Sequence, residues 1–520
     1  MEDEARMSWL SGRPQRVLNL RRPAELSSTN MEYYAQWSVM DDQIMLTLPS
    51  ANSVTSPSLI FIADINASLE TGDDVVEFKR IVELPYHATS SKLLGNQAGF
   101  VTAEFRKGES KLILRTHDPI GSVSKERILS AEATDGEIAL HGSSVAICVY
   151  DGSEDPSKRW NCLGKSNQIA IWDTESGNLT RIDIPQDERA PQCHRGNFQF
   201  ATPSYIALGG HLDPSHDRPY SLLRSIPITP SEQNKGRLFH QHENFEYGNN
   251  HDAIAIPGSS AHNDVVVHHH QHGSRFTVAD VGLLTGEIPV TDNNAQSEAQ
   301  PTPGYFMDKD LFKDLFHVFS DKVNARTLYG ELFDRLPSLV GNKLLVREHI
   351  EEYEHDEDNY HGYHAPHTSF GTFQVLYLYD FDQDRCKALR QLSPGSERQD
   401  LETRLKERNP DASVVVMSRM FYTSIEEEED TEKDTSPEWK AHMRKIWETK
   451  WAREKGEAKF PTLEFDDPPE GCDDPRMLYT RSMVCLPKIR DGEAFAMTTS
   501  AIIELPTSKA DGYVHYFGAQ

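Results

Sequence analysis

The stretch Ile169-Ala-Ile-Trp-Asp-Thr-Glu-Ser-Gly-Asn-Leu-Thr-Arg-Ile-Asp-Ile-Pro185 reads as a β-hairpin. Ile169 and Ile171 alternate with Ala170 and Trp172, the two-residue period of a strand. Asp173 to Asn178 is a polar turn in which Gly177 supplies a residue free to take positive φ. Leu179, Ile182 and Ile184 form a second strand that Pro185 ends.

The same grammar recurs along the chain. Ile60-Phe-Ile-Ala-Asp64 is followed by Thr71-Gly72 and a strand from Val75 to Leu84. Phe276-Thr-Val-Ala-Asp280 is followed by Thr285-Gly286, and Val375 to Asp380 by a strand around Ala388 to Leu392. Looser copies sit at Lys111 to Arg115, with Asp118 and Gly121, and at Ser221 to Ile226. From Asp64 onward the aligned points recur every roughly 54 residues, a repeat length of the kind that propellers and solenoids use. A small-residue turn opening a strand precedes several copies: Gly95-Asn96, Gly142-Ser143, Gly258-Ser259 and Gly341-Asn342. Two features recurring in one order define an all-β fold, a β-propeller of about seven four-stranded blades. Runs such as Val145-Ala-Ile-Cys-Val149 fit inner strands buried on both faces. No single blade buries enough surface alone, so the ring must close.

Lys and Arg number 53 against 81 Asp and Glu, a formal net charge of −28, which argues against a nucleic-acid backbone binder or an anionic-membrane adhesin. The six cysteines form no C-x-x-C pair, so neither a structural zinc site nor a disulfide framework is expected. No apolar leader and no run of about 18 apolar residues is visible, giving the expectation of a cytoplasmic or nuclear protein.

Residues 1–30 are a polar lead-in around Val17-Leu18-Asn19-Leu20, read either as semi-ordered chain or as a strand that closes the ring. The propeller spans 31–520, with blades over about 31–90, 91–132, 133–185, 194–242 and 250–291. Two helical insertions interrupt it, at about 292–340 and 425–475. In the first, Leu311, Phe312, Leu315, Phe316 and Phe319 recur at helical spacing. In the second, Trp439, Met443, Ile446, Trp447 and Trp451 share one face of a helix from Pro437 to Lys455. Blade six then runs from Leu344 to Leu389, and blade seven takes in Ser413 to Tyr422 and the strands after Met477.

The strand–Asp–Gly hairpins, with Trp172-Asp173 the best copy, resemble degenerate WD-repeat-like propellers. In particular they resemble the propeller region of fungal F-box-type proteins. That resemblance implies a substrate receptor whose N-terminal F-box, opening near Leu-Pro-x-Glu, docks a ubiquitin-ligase adaptor. Here the nearest segment is Pro23-Ala24-Glu25-Leu26, with Arg22 in place of the leucine, and no helical pattern follows it.

His262, His268, His269, His270 and His272 crowd one strand and its turn; His355, His361, His364 and His367 lie in an acidic loop. A ligand set normally draws on several elements, so no metal ion and no cofactor is expected. Gly209-Gly210-His211-Leu212-Asp213 is read as an inter-strand loop, and no catalytic residue is assigned. Trp439, Met443, Trp447 and Trp451 are the candidate partner-binding anchors, because tryptophans dominate binding hot spots. The functional expectation is a non-enzymatic protein-interaction or substrate-recognition scaffold that binds protein partners, ubiquitin-ligase components among them. The alternative is a propeller hydrolase or lyase with His211, Asp213, His262 and Glu348 at the channel mouth.

Overall fold

A computed structural model describes residues 2–27, 35–50, 56–131, 133–150, 168–184, 198–211, 220–229, 238–242, 265–270, 275–281, 285, 316–319, 338–353, 369–392, 395–417, 462–465, 479–484, 486 and 495–518. The chain opens with helix α1 (Glu2–Ser11) and strand β1 (Arg16–Arg21). The first sheet orders β2 (Gln36–Met40), β3 (Gln43–Pro49), β4 (Ser58–Asp64) and β6 (Lys79–Glu83). Helix α2 (Ile65–Thr71) and the short β5 (Val75–Glu77) lie between its last two strands. The second sheet holds β7 (Ser90–Leu93), β8 (Phe100–Arg106), β9 (Lys111–His117) and β10 (Val123–Ser130). The third holds β11 (Ala133–His141), β12 (Ser144–Tyr150), β13 (Gln168–Asp173) and β14 (Leu179–Asp183). The fourth holds β15 (Phe198–Thr202), β16 (Tyr205–His211), β17 (Tyr220–Pro227) and β18 (Leu238–His242).

A three-stranded sheet comes next, β19 (Val265–His270), β20 (Arg275–Asp280) and β21 (Phe316–Phe319). The sheet after it takes β22 (Ser338–Val340), β23 (Lys343–Tyr353), β24 (Ser369–Asp380), β25 (Val414–Met417), β26 (Leu463–Phe465) and β27 (Tyr479–Val484). Helices α3 (Gln383–Arg390) and α4 (Ser396–Arg408) link its β24 to β25. The last sheet joins β28 (Phe495–Met497), β29 (Ala501–Glu504) and β30 (Gly512–Tyr516) to β1 and β5.

This is an all-β propeller. First strands of successive sheets touch one another, β2 with β7, β7 with β11, β11 with β15, and β22 with β28, as inner strands around an axis do. Burial on both faces is visible in β12. Val145, Ile147 and Val149 pack against the second sheet, while Ala146 and Cys148 pack against the fourth. Inner-strand hydroxyls tie neighbours together: Ser38 Oγ accepts from Leu93 N at 2.9 Å, and Ser90 Oγ accepts from Ile138 N at 3.2 Å. The ring closes between the two chain ends, with Leu18 of β1 opposite Val514 of β30 in antiparallel register. Trp9 stacks on Phe517 at 4.4 Å and donates from Nε1 to the Gly518 carbonyl at 3.0 Å.

Several expectations are corrected. Seven uniform four-stranded blades are not matched: among the described residues six sheets carry four or more strands, and the β19–β21 sheet has three. Phe316–Phe319, expected on a helix, is a strand paired with β20. The segment around Ala388 to Leu392, expected as a strand, carries the end of α3. Asp382 caps that helix by accepting from Arg385 N, and Cys386 and Leu389 bury one face. Strands β25 and β27, expected in the last blade, belong to the sheet of β23 and β24 because β27 pairs with β24, and β26, inside the span expected as a helical insertion, pairs with β25. The helix expected over Pro437 to Lys455 lies outside the described residues.

Candidate functional site

The two recurring sequence features meet at one end of each blade. The small turn joins the first two strands, and the aspartate closes the third. The residue after the third strand donates its N–H to the second turn residue's carbonyl in five sheets. Ile65 bonds Asp42 at 2.9 Å, Thr174 bonds Ser143 at 2.9 Å, and Ile228, Phe381 and Phe517 bond Ser204, Asn342 and Ser500 at 2.8 Å each. The tight turn needs a left-handed residue, supplied by Asp41 (φ 51°), Gly142 (φ 55°) and Gly341 (φ 58°). The aspartates cap the next turn or helix. Asp64 Oδ1 accepts from Ala67 N at 3.1 Å, and Asp118 Oδ1 accepts from Ser122 N at 2.8 Å. Asp173 accepts from Ser143 Oγ at 2.8 Å and from Glu175 N at 3.0 Å. These hydrogen bonds hold the Asp173 carboxyl below its usual range, that from Ser176 Oγ first.

On the sheet of β23 and β24 this rim carries a charged pocket beneath α1. Lys343 is 7% exposed and stands directly opposite Asp380. Its Nζ sits 4.5 Å from the Trp9 ring centre. Asp380 Oδ1 lies 3.3 Å from Arg385 Nη2, which also reaches Asp382 at 3.1 Å. Arg6, Trp9, Asp380, Arg385, Thr480 and Ser482 line a cavity of about 20 Å³, room for one water. Burial pushes the Lys343 ammonium down to about 8, against the pull of Asp380. Burial pushes the Asp380 carboxyl up, against the guanidinium of Arg385 and the ammonium of Lys343. Burial raises the Cys386 thiol, whose Sγ donates to the Asp380 carbonyl at 3.4 Å.

A second ionisable network lies on the second sheet and reaches Tyr86 in the link from the first. Arg115 bonds Glu104 at 2.7 Å and Glu126 at 2.6 Å, and stacks 4.3 Å over the Tyr86 ring. His117 reaches Thr102 Oγ1 at 3.0 Å through Nε2 and the Gly121 carbonyl at 3.1 Å through Nδ1. Burial lowers the His117 pKa. Because these partners satisfy one another, the network reads as structural cement rather than as an acid–base centre.

Two of the four residues of the channel-mouth set proposed from sequence fall among the described residues. His211 ends β16 opposite Ser221, and Glu348 lies within β23 opposite Val375, on different sheets. Asp213, His262, Trp439, Met443, Trp447 and Trp451 lie outside the described residues. Pro23 to Leu26 leads into a single 3-10 turn, Ala24–Ser27, whose Leu26 is buried with Leu46, Leu48 and Phe61. The segment nearest a Leu-Pro-x-Glu opening is thus committed to the first sheet's core. Sequence reasoning singles out Asp380 only as a hairpin residue. Lys343 carries no signal, because register alone sets it opposite Asp380.

No protein-family model and no curated protein matches the chain. Among solved structures, a hypothetical selenium-binding protein from Sulfolobus tokodaii is 9% identical at a TM-score of 0.32, covering 72% of this chain and 78% of its own. The β-propeller domain of the Trilobed protease from Pyrococcus furiosus is 11% identical at a TM-score of 0.28, covering 66% and 81%. An apocarotenoid oxygenase variant from Synechocystis is 9% identical at a TM-score of 0.29, covering 48% of this chain. The chain spans 59% of that oxygenase's length. The propeller assignment stands on the strand pairing described above. No helix among the described residues is long and apolar enough to cross a membrane.

Proposed function

We propose that this propeller is a non-enzymatic scaffold that recognises protein partners through the loops of its turn rim. The observation that carries the reading is the use made of the rim aspartates. Asp64, Asp118, Asp173 and Asp380 each accept a backbone N–H that shapes the following turn or helix. Carboxylates committed in this way hold a frame, leaving the outward side chains of the loops to set specificity. On this reading the Trp439, Met443, Trp447 and Trp451 stripe supplies anchors for a partner, and ubiquitin-ligase adaptor subunits are the first partners to test. Among the described residues the buried Lys343–Asp380 pair favours the hydrolase or lyase reading, since a buried amine with its pKa drawn to about 8 is suited to acid–base or nucleophilic work.

The test is affinity capture of the full chain from its native cells. Adaptor subunits that co-purify with the wild type and are lost from a folded Trp447→Ala, Trp451→Ala variant support the scaffold reading. Capture of such subunits undiminished by those changes removes the tryptophan anchors from it. A turnover activity that disappears in Lys343→Met overturns it.

A further inference from the structure

The face of the last sheet that turns toward β23 and β24 carries a cluster of polar side chains buried in an otherwise apolar seam. Cross-strand register defines it. Glu504 stands opposite Tyr513, and Tyr513 stands opposite Asn19 of β1. One pair further along, His515 stands opposite Ile502 and Val17. Directly opposed residues share a face, so Asn19, Glu504, Tyr513 and His515 project together. Ile502 and Met497 on that face pack with Leu376, Leu378 and Val484, which places the cluster in the seam between two blades.

The seam is sealed at this point. The Glu504 side chain is 0% exposed and that of His515 is 2% exposed. Both carboxylate oxygens of Glu504, both ring nitrogens of His515 and Oδ1 of Asn19 are buried without a hydrogen-bond partner. Each such atom costs about 1–3 kcal/mol if left bare, so the four on Glu504 and His515, with Asn19 Oδ1 on the far side of Tyr513, call for a buried water or an ion. A proton shared between Glu504 and His515 satisfies one oxygen and one nitrogen and leaves the other three atoms unanswered.

Three of the unpartnered atoms are oxygens that only accept, and the ring adds a lone pair, against a single imidazole N–H donor. An acceptor-rich set carrying one carboxylate is complementary to a cation. Its enclosure excludes an organic cation, which leaves a small dehydrated ion. Nε2 of His515 and Oε2 of Glu504 lie 3.8 Å apart, too far for a hydrogen bond. One ion bonded to both at about 2.1 Å spans that gap with an angle of about 130° at the metal. A neutral imidazole, a carboxylate and an amide oxygen form a borderline donor set of the kind zinc accepts. We propose that Glu504 and His515, with Asn19 completing the set, bind one divalent transition-metal ion of the zinc class in the seam between the last two blades.

The experiment uses the full chain, stripped with EDTA, exchanged into metal-free buffer and titrated with zinc alone. Bound zinc is counted by elemental mass spectrometry after gel filtration, and the cobalt(II) form is read by its visible absorption. The wild type should retain one more tightly held equivalent than Glu504→Gln or His515→Gln, with affinity at that site falling more than about 100-fold, beyond what loss of an outer partner costs. Both variants should lose the cobalt band that belongs to that equivalent. Equal stoichiometry and equal spectra in all three proteins would place the zinc in the histidine-rich segments and overturn the proposal, as would a wild type that retains none. Should the two core variants not fold, Asn19→Leu decides the matter at a partly exposed position. A loss of about tenfold in zinc affinity sustains the site, and an unchanged affinity removes it.

Discussion

Replacing Trp9 by alanine tests whether the N-terminal helix locks the ring. Trp9 is 2% exposed, stacks on Phe517 at 4.4 Å, donates to the Gly518 carbonyl at 3.0 Å and lies under the Lys343 ammonium at 4.5 Å. Truncating a buried tryptophan costs about 3–5 kcal/mol, a figure that includes the cavity left behind. The lost Nε1 hydrogen bond alone accounts for about 1 kcal/mol of it. Because Phe517 and Gly518 directly follow β30, the loss falls on the strand pair that closes the ring. A weakening of about 4 kcal/mol in local closure speeds amide exchange there by about a thousandfold. The assay is amide hydrogen exchange of the β1 and β30 residues, read by mass spectrometry beside that of β12 and β13 in the third sheet. Trp9→Ala should deprotect β1 and β30 by that factor and leave the third sheet within a few-fold of wild type. Trp9→Phe, which keeps the stack and loses the donor, should fall in between. Unchanged exchange in β30 with a released α1 would refute the reasoning.

Three further outcomes are expected in the same region. Gly12 has φ 64° and a Cβ there would meet the Met483 carbonyl oxygen at 1.9 Å, so Gly12→Ala should lift α1 off its sheet and cost at least about 2 kcal/mol by urea denaturation. Lys343 is protonated less readily folded than unfolded, so the unfolded chain binds more protons between pH 8 and 10.5 and stability rises with pH in that window. The gain is about 3 kcal/mol, and Lys343→Met should abolish that slope in denaturation midpoints measured at both ends. Burial raises the Cys386 thiol, so alkylation followed by peptide mapping should leave Cys386 unlabelled in the folded protein and label it in urea.

Much of the architecture was legible because propeller strands carry local signatures. The spans 31–90, 91–132, 133–185 and 194–242 each enclose one four-stranded sheet to within a residue. The unbroken run from Val145 to Val149 belongs to a strand buried on both faces. Errors arose where two readings share one composition. Phe316 to Phe319 satisfies a helical period and a strand's aromatic preference equally over so short a length. After Asp380, the cap formed by Asp382 turns the chain into a helix, as Asp64 does before α2, where the Asp173 repeat turns into a strand. Membership of β25, β26 and β27 in the preceding sheet depends on long-range pairing, which no local pattern encodes. The polar cluster was hidden for the same reason: Asn19 and Glu504 flank Tyr513 from strands on either side of it, a placement that only long-range pairing sets.

Because the closing sheet draws a strand from each terminus, synthesis dictates when the fold can finish. At a translation rate of about 5–20 residues per second, Arg16 to Arg21 wait about 25–100 s for β30 to emerge. In that interval the short β5 pairs with one side of β1. A ribosome that stalls, or a stop codon anywhere ahead of Gly512, releases a chain with an open seam and a bare strand edge. Until Gly512 to Tyr516 are made, β1 therefore offers chaperones and proteases the edge that β30 later covers.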